Sequence, residues 1–268
     1  MDRLFARKPL LNLFIIIVTF VIAYYACILL DEWGHSTAAW LLGQKHNPFE
    51  VYYGGWALLH ADENVDYTKL FAAHRDLSAA IIGIGGITTS ALLFILSLIF
   101  LARSNVQKNL TVFTLLYWSL TMNMMPLLQY LSLTTFSDGG DIGYFTRGLH
   151  LSPWWIFIPG TMIVTALWHI FSVEIPRAYA VIPINRLWGR RLLLLATLII
   201  IFLLIYTHNY NPLIDPRTNY PSKILAALSI ALPPLLFFLC DPSRNWVKDR
   251  IAQCKKIARF YFLIYDYL

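Results

Sequence analysis

The chain has 268 residues, 58% of them hydrophobic and only 13% charged, with a formal net charge of +6. A soluble domain holds roughly 45–50% apolar and about 25% charged residues, so this composition excludes an ordinary water-soluble enzyme or binding module. The basic excess sits beside apolar blocks, which argues against nucleic acid and for an anionic membrane surface as its partner.

A helix needs about 20 apolar residues to cross the hydrocarbon of a bilayer. The first such block starts near Pro9 and runs to Leu30, with helical character continuing to Leu42. Its basic start (Arg3, Arg7, Lys8) fits a signal peptide. The apolar stretch is longer than the usual ~7–15 residues, however, and no small-residue cleavage site follows, so it reads as a retained anchor.

Gly43–Asp76 is the longest connection. Within it, Phe49–Glu50–Val51–Tyr52–Tyr53 alternates apolar and polar residues and then meets Gly54–Gly55, the pattern of a short strand turning as a β-hairpin. The acids Asp62, Glu63 and Asp66 follow, then a short helix around Tyr67–His74.

Five further apolar blocks read as spans, at about Leu77–Ala102, Leu110–Leu133, Pro153–Phe171, Leu192–Tyr206 and Ile224–Cys240. Backbone polar groups in lipid must be paired within the element, so these blocks are helices. Trp154, Trp155 and Trp188 sit near span ends, where aromatic residues anchor at the interface. The tail Asp241–Leu268 interleaves six basic residues with Trp246, Ile251, Ile257, Phe260 and Phe262, a basic amphipathic segment suited to anionic lipid. Cys27, Cys240 and Cys254 show no C-x-x-C spacing and read as packing residues. The expected fold is an all-α polytopic membrane protein of about six transmembrane helices, with a short β-hairpin-like segment after the first.

Charged groups within an apolar helix cost about 2.5–3.5 kcal/mol each on insertion scales and are functional candidates. Asp31–Glu32–Trp33–Gly34–His35 lies at the outer end of the first block. Residues four apart share a helix face, so Asp31 and His35 point the same way with Glu32 beside them. The geometry is that of H-E-x-x-H, in which the first and fifth residues bind zinc and the glutamate is general base. A helix that turns polar as it leaves the membrane has the same composition. Ser137–Asp138–Gly139–Gly140–Asp141 follows the third block and also reads as an ordinary Asp-Gly turn. Both clusters follow odd-numbered spans, which places them on one side of the membrane, able to share a metal. His60 and His150 lie on that same side as substitute ligands, although loop histidines are common; His169 reads as a packed residue. Asn123 lies within the third span and suits either an extended substrate strand or a helix–helix hydrogen bond.

Leu30–Gly43, with Asp31–Glu32 and His35, resembles the H-E-x-G-H-x-x-x-A-x-x-x-G segment of the site-2 protease family of intramembrane zinc metalloproteases. Phe49–Gly55 is similar to that family's extended segment ending in glycine. Gly85–Gly86–Ile87–Thr88–Thr89 resembles its G-P-x-x-N segment, and Asn123–Met124–Met125–Pro126 followed by Asp138–Gly139–Gly140 resembles its N-x-x-P…D-G motif. The order agrees over about residues 29–145. Residues 1–150 thus form a site-2-protease-like core, and 151–268 hold three additional spans and the tail. The resemblance implies Asp31, His35 and Asp138 at metal-ligand positions, Glu32 as general base, and Asn123, Tyr52, Tyr53 and Gly54 as binders of an extended membrane-peptide substrate.

Three departures qualify it. Asp31 stands where the family has its first zinc histidine, Gly86 and Thr89 replace a proline and an asparagine, and Pro126 to Asp138 is long. Two carboxylates and one imidazole cancel the charge of Zn²⁺ and shift preference toward Mn²⁺ or Fe²⁺. Asp31 therefore implies weak catalysis, a changed metal or lost catalysis. The expected function is hydrolysis of peptide bonds in or near membrane segments. The rivals are a weak or inactive relative that binds or escorts membrane proteins, and a small transporter or channel with acidic residues lining a path.

Basic residues fix the expected orientation, because short Lys/Arg-rich loops stay in the cytoplasm. Arg3, Arg7, Lys8, Arg103, Lys108, Arg177, Arg186, Arg190, Arg191 and the six of the tail fall on one side, fifteen of the 21 in all. Both termini are then cytoplasmic, and the Asp31–His35 cluster lies toward the other face.

Overall fold

A computed structural model of the chain describes residues 9–55, 58, 61–163, 166 and 167. Expected spans five and six, the end of span four, the basic tail, His60 and His169 lie outside the described residues.

The described chain is mostly helical. Helix α1 is Pro9–Leu41, α2 Tyr67–Ala72, α3 Asp76–Gly83, α4 Gly85–Leu101, α5 Ser104–Gln107 and α6 Leu110–Leu128. A π-helical turn, Gln129–Leu133, extends α6; α7 is Gly140–Gly148 and α8 Trp154–Ile163. Two stretches, Leu10–Leu41 and Asp76–Leu101, are long and apolar enough to cross a membrane. The second is α3 and α4 in succession, joined at Ile84.

Helices α1, α4 and α6 pack each against the other two. Their contact is apolar around Phe94, Phe113, Leu120 and Met124, but it also holds polar pairs. Thr19 Oγ1 lies 3.0 Å from Thr114 Oγ1, and Ser97 Oγ 3.0 Å from Ser119 Oγ. Outward, Leu10, Phe14, Ile17, Leu92, Ile95 and Ile99 are exposed. Small polar residues inside and large apolar ones outside is the distribution expected of helices that face lipid, where hydroxyls must find partners within the bundle.

Glycine sets the closest approach. A Cβ on Gly34 would fall 2.8 Å from the Gly85 carbonyl oxygen and against the Thr89 hydroxyl, and one on Gly85 would fall 2.7 Å from the Gly34 oxygen. Helices α1 and α4 therefore touch backbone to backbone beside the Asp31–His35 cluster. Helices α3 and α7 meet likewise, at Gly83 against Asp141 and at Gly148 against Asp76 and Ala80.

Of the expected hairpin, the described residues show one antiparallel bridge, Tyr52 with Asp62, closed by two hydrogen bonds of 2.9 Å. No strand forms among the described residues. The positive φ of Gly54 (62°) and Gly55 (95°) turns the chain directly after Tyr53.

Candidate metal centre

The centre is assembled from α1, α3, α4 and α7. Helical spacing puts Asp31 and His35 on one face of α1, as the sequence predicts, with His35 Nε2 3.8 Å from Asp31 Oδ2. The ring is fixed from behind, because His35 Nδ1 lies 2.7 Å from the carbonyl oxygen of Ile82, where α3 ends. An N–H at Nδ1 satisfies that carbonyl and leaves Nε2 as the atom that faces the carboxylates. The Ser90 hydroxyl on α4 donates to Asp31 Oδ1 at 2.7 Å, which orients the second oxygen toward His35.

The third member is Asp141, in the first turn of α7. Its Oδ2 lies 3.3 Å from His35 Nε2. Ligand atoms of Asp31, His35 and Asp141 all lie within 4.8 Å of one another. Asp138, the position the family resemblance implies, is exposed and outside that trio. The cause is local. Gly140 takes a left-handed backbone (φ 76°), which swings the chain into α7, and the Ser137–Asp138 backbone packs on Gly143, where a Cβ would fall 2.7 Å from the Ser137 oxygen. That packing leaves the Asp138 side chain in the open and turns Asp141 inward.

Glycine also makes room for the imidazole. A Cβ on Gly86 would fall against His35 Nε2 and 2.8 Å from Asp31 Oδ2. A proline in the middle of that segment, as in the resembling family, would occupy the same space. Gly86 is thus matched to the Asp31–His35 pair.

Two residues join the centre that carried no signal in the sequence. Tyr130, on the π-helical turn after Pro126, hydrogen-bonds to Asp141. A π turn re-aims side chains relative to the preceding helix and recurs at functional sites. Glu63, read from sequence as one of several loop acids, is buried at 8% exposure, within electrostatic range of His35 and Asp141. Burial pushes its carboxyl above the ordinary range, although His35 opposes the shift. Burial likewise raises the phenols of Tyr67 and Tyr144, which stack with ring centroids 3.9 Å apart beside the same loop.

Glu32 lies within electrostatic range of His35, Asp31, Glu63 and Asp141. Among the described residues, no lysine or arginine forms an ion pair within 4.0 Å of these four acids, although the Lys45 ammonium is in electrostatic range of Glu63. Glu63 is buried and Asp31, Glu32 and Asp141 are half-buried, and acids gathered this closely out of water are paired or coordinate metals. A divalent cation meets that requirement, and one imidazole with two carboxylates is a fitting donor set for it.

The remaining expected site residues lie elsewhere. Asn123 is buried in the helix contact, its amide nitrogen donating to Cys27 Sγ (3.1 Å) and the Ser119 carbonyl oxygen (2.8 Å). Tyr52 and Tyr53 are exposed on the loop before Gly54. His150 is exposed and faces Asp76 at 3.5 Å, outside the trio. No family model, curated protein or solved structure matches this chain.

Proposed function

We propose that the protein is an intramembrane metalloprotease-like protein of the site-2 type, which binds one divalent metal and hydrolyses peptide bonds in or near membrane segments. The observation that carries this reading is the convergence of Asp31 and His35, within the long apolar first helix, with Asp141, and Glu32 within electrostatic range of all three.

Asp31, His35 and Asp141 would hold the divalent metal, which when bound would supply Lewis acidity to a peptide carbonyl and to a water. The chain's own groups do the rest. The Ile82 carbonyl fixes the His35 ring, Ser90 orients Asp31 and Tyr130 orients Asp141, the outer support that ligating residues need. Glu32 takes the proton from the attacking water and returns it to the leaving amine. An extended substrate pairs with the loop around Tyr52, Tyr53 and Gly54, because strand pairing holds a peptide in the unfolded form that cleavage requires. Six spans, cytoplasmic termini and a lipid-bound basic tail complete the proposal, on the strength of the apolar blocks and the basic-residue asymmetry.

One observation favours a second reading, an inactive relative that binds or escorts membrane proteins. Asp31 stands at a position where the resembling family has histidine, and the extra negative charge makes water at the site less acidic. Reconstitution with a membrane-spanning peptide distinguishes the two. The protease reading expects cleavage by the wild type, and loss of cleavage with metal retained in Glu32→Gln. Equal cleavage by both would show the mechanism to be wrong, and binding without cleavage by either would favour the escort.

A further inference from the structure

The loop between α1 and α2 is fastened to the centre by one ammonium group. Lys45 Nζ donates to Ser36 Oγ on α1 at 2.9 Å, to the backbone oxygen of Glu63 at 2.5 Å, and to the backbone oxygen of Glu50. A lysine ammonium has three N–H donors, and here each meets an acceptor on a different segment. Two further ties hold the same loop. Phe49 packs edge-on against Trp33 of α1, with centroids 5.4 Å apart, and Tyr52 bridges Asp62.

The consequence falls on Glu63. Lys45 holds the Glu63 backbone beside Ser36, the residue after His35, and the Glu63 side chain is buried there within electrostatic range of Glu32 and His35. It lies outside the trio whose ligand atoms share a 4.8 Å group. A packing residue at this place would be apolar; Glu63 instead puts a carboxyl here, within electrostatic range of the Lys45 ammonium, His35 and Asp141.

We propose that Glu63 is a positioning residue of the metal centre, a loop-borne carboxylate that strengthens cation binding from outside the ligand trio, and that Lys45 holds it there. This rests on the metal reading above. Residues just outside a ligand set are worth about 10–100-fold in metal affinity, which sets the expected effect.

The test is Co²⁺ titration of the purified full-length chain in detergent, followed by the visible ligand-field bands. Glu63→Gln, which keeps shape and removes charge, is expected to weaken binding about ten-fold or more with the band shape unchanged. Glu63→Asp recovers part of the loss. Lys45→Met weakens binding and exposes the loop to protease, while Lys45→Arg keeps the wild-type affinity and protection. If Glu63→Gln does not fold, the Lys45→Met and Lys45→Arg pair decides. Wild-type affinity in Glu63→Gln, or equal affinity in the two Lys45 variants, overturns the proposal and leaves the trio standing. An altered band shape in Glu63→Gln also overturns it, by making Glu63 a direct ligand. A wild type that takes up no Co²⁺ overturns both this inference and the metal reading.

Discussion

His35 Nε2 faces Asp141 Oδ2 at 3.3 Å, so a residue of the first apolar helix meets one that follows the third long helix. Two features make this contact a centre rather than an isolated ion pair. Asp31 approaches the same nitrogen, and the opposite ring nitrogen is occupied by the Ile82 carbonyl. Rotation of the ring would break that inner hydrogen bond, so Nε2 is held toward the carboxylates.

Gly86 gives the sharpest packing prediction. Gly86→Ala would drive a methyl group into His35 Nε2, with Asp31 Oδ2 only 2.8 Å away. Overpacking of this kind costs about 1–3 kcal/mol. It should lower thermal stability in detergent and weaken metal binding together. Gly139→Ala is the control, because a Cβ there meets nothing within 4 Å and its φ is an ordinary −131°. Equal stability of the two variants would contradict the described approach of α4 to α1.

Asp66 gives a pH prediction. Its carboxylate caps α2 by accepting the Lys69 N–H at 3.0 Å, and this bond holds its pKa below the ordinary 3.8. A depressed acid contributes stability that is fully present above the ordinary value and is lost as pH falls through the lowered one. Protection of the α2 region from hydrogen exchange, corrected for the intrinsic rate, should therefore decline below about pH 4 in the wild type. Asp66→Asn keeps an uncharged acceptor at every pH and should show a flat profile. Identical profiles would remove the cap from the account.

Orientation is tested by cysteine labelling in a chain lacking Cys240 and Cys254. Thr68→Cys, at an exposed position of α2, should react with an impermeant reagent from the non-cytoplasmic side. Ser104→Cys, in the basic loop after α4, should react only after the cytoplasmic side is opened. The reverse pattern would invert the arrangement drawn from the lysines and arginines.

The helices were legible because apolar length is a strong signal. The first block, the short helix near Tyr67 and the blocks from Leu77 and Leu110 all appear as helices within a few residues of their expected bounds. The face shared by Asp31 and His35 followed from helical spacing alone. The choice between Asp138 and Asp141 did not, since both flank the same glycine pair. It is decided by the left-handed turn at Gly140 and by the packing of Gly143, neither of which a one-dimensional pattern encodes. Glu63 sits among Asp62, Asn64 and Asp66, a stretch that reads as solvated loop, and the contacts that fix its backbone, from Lys45 and from the Tyr52–Asp62 bridge, come from residues distant in sequence. Tyr130 is reached through a π turn, a local change of helical pitch that follows Pro126 and leaves no residue signature of its own.

The central claim is that Asp31, His35 and Asp141 hold a divalent metal, and the most direct measurement is the metal content of protein purified without chelators. The account predicts about one divalent ion per chain in the wild type and in Asp138→Ala, and loss of that ion in His35→Ala and in Asp141→Ala. A metal-free wild type, or a metal lost on replacing Asp138 and kept on replacing Asp141, would contradict it.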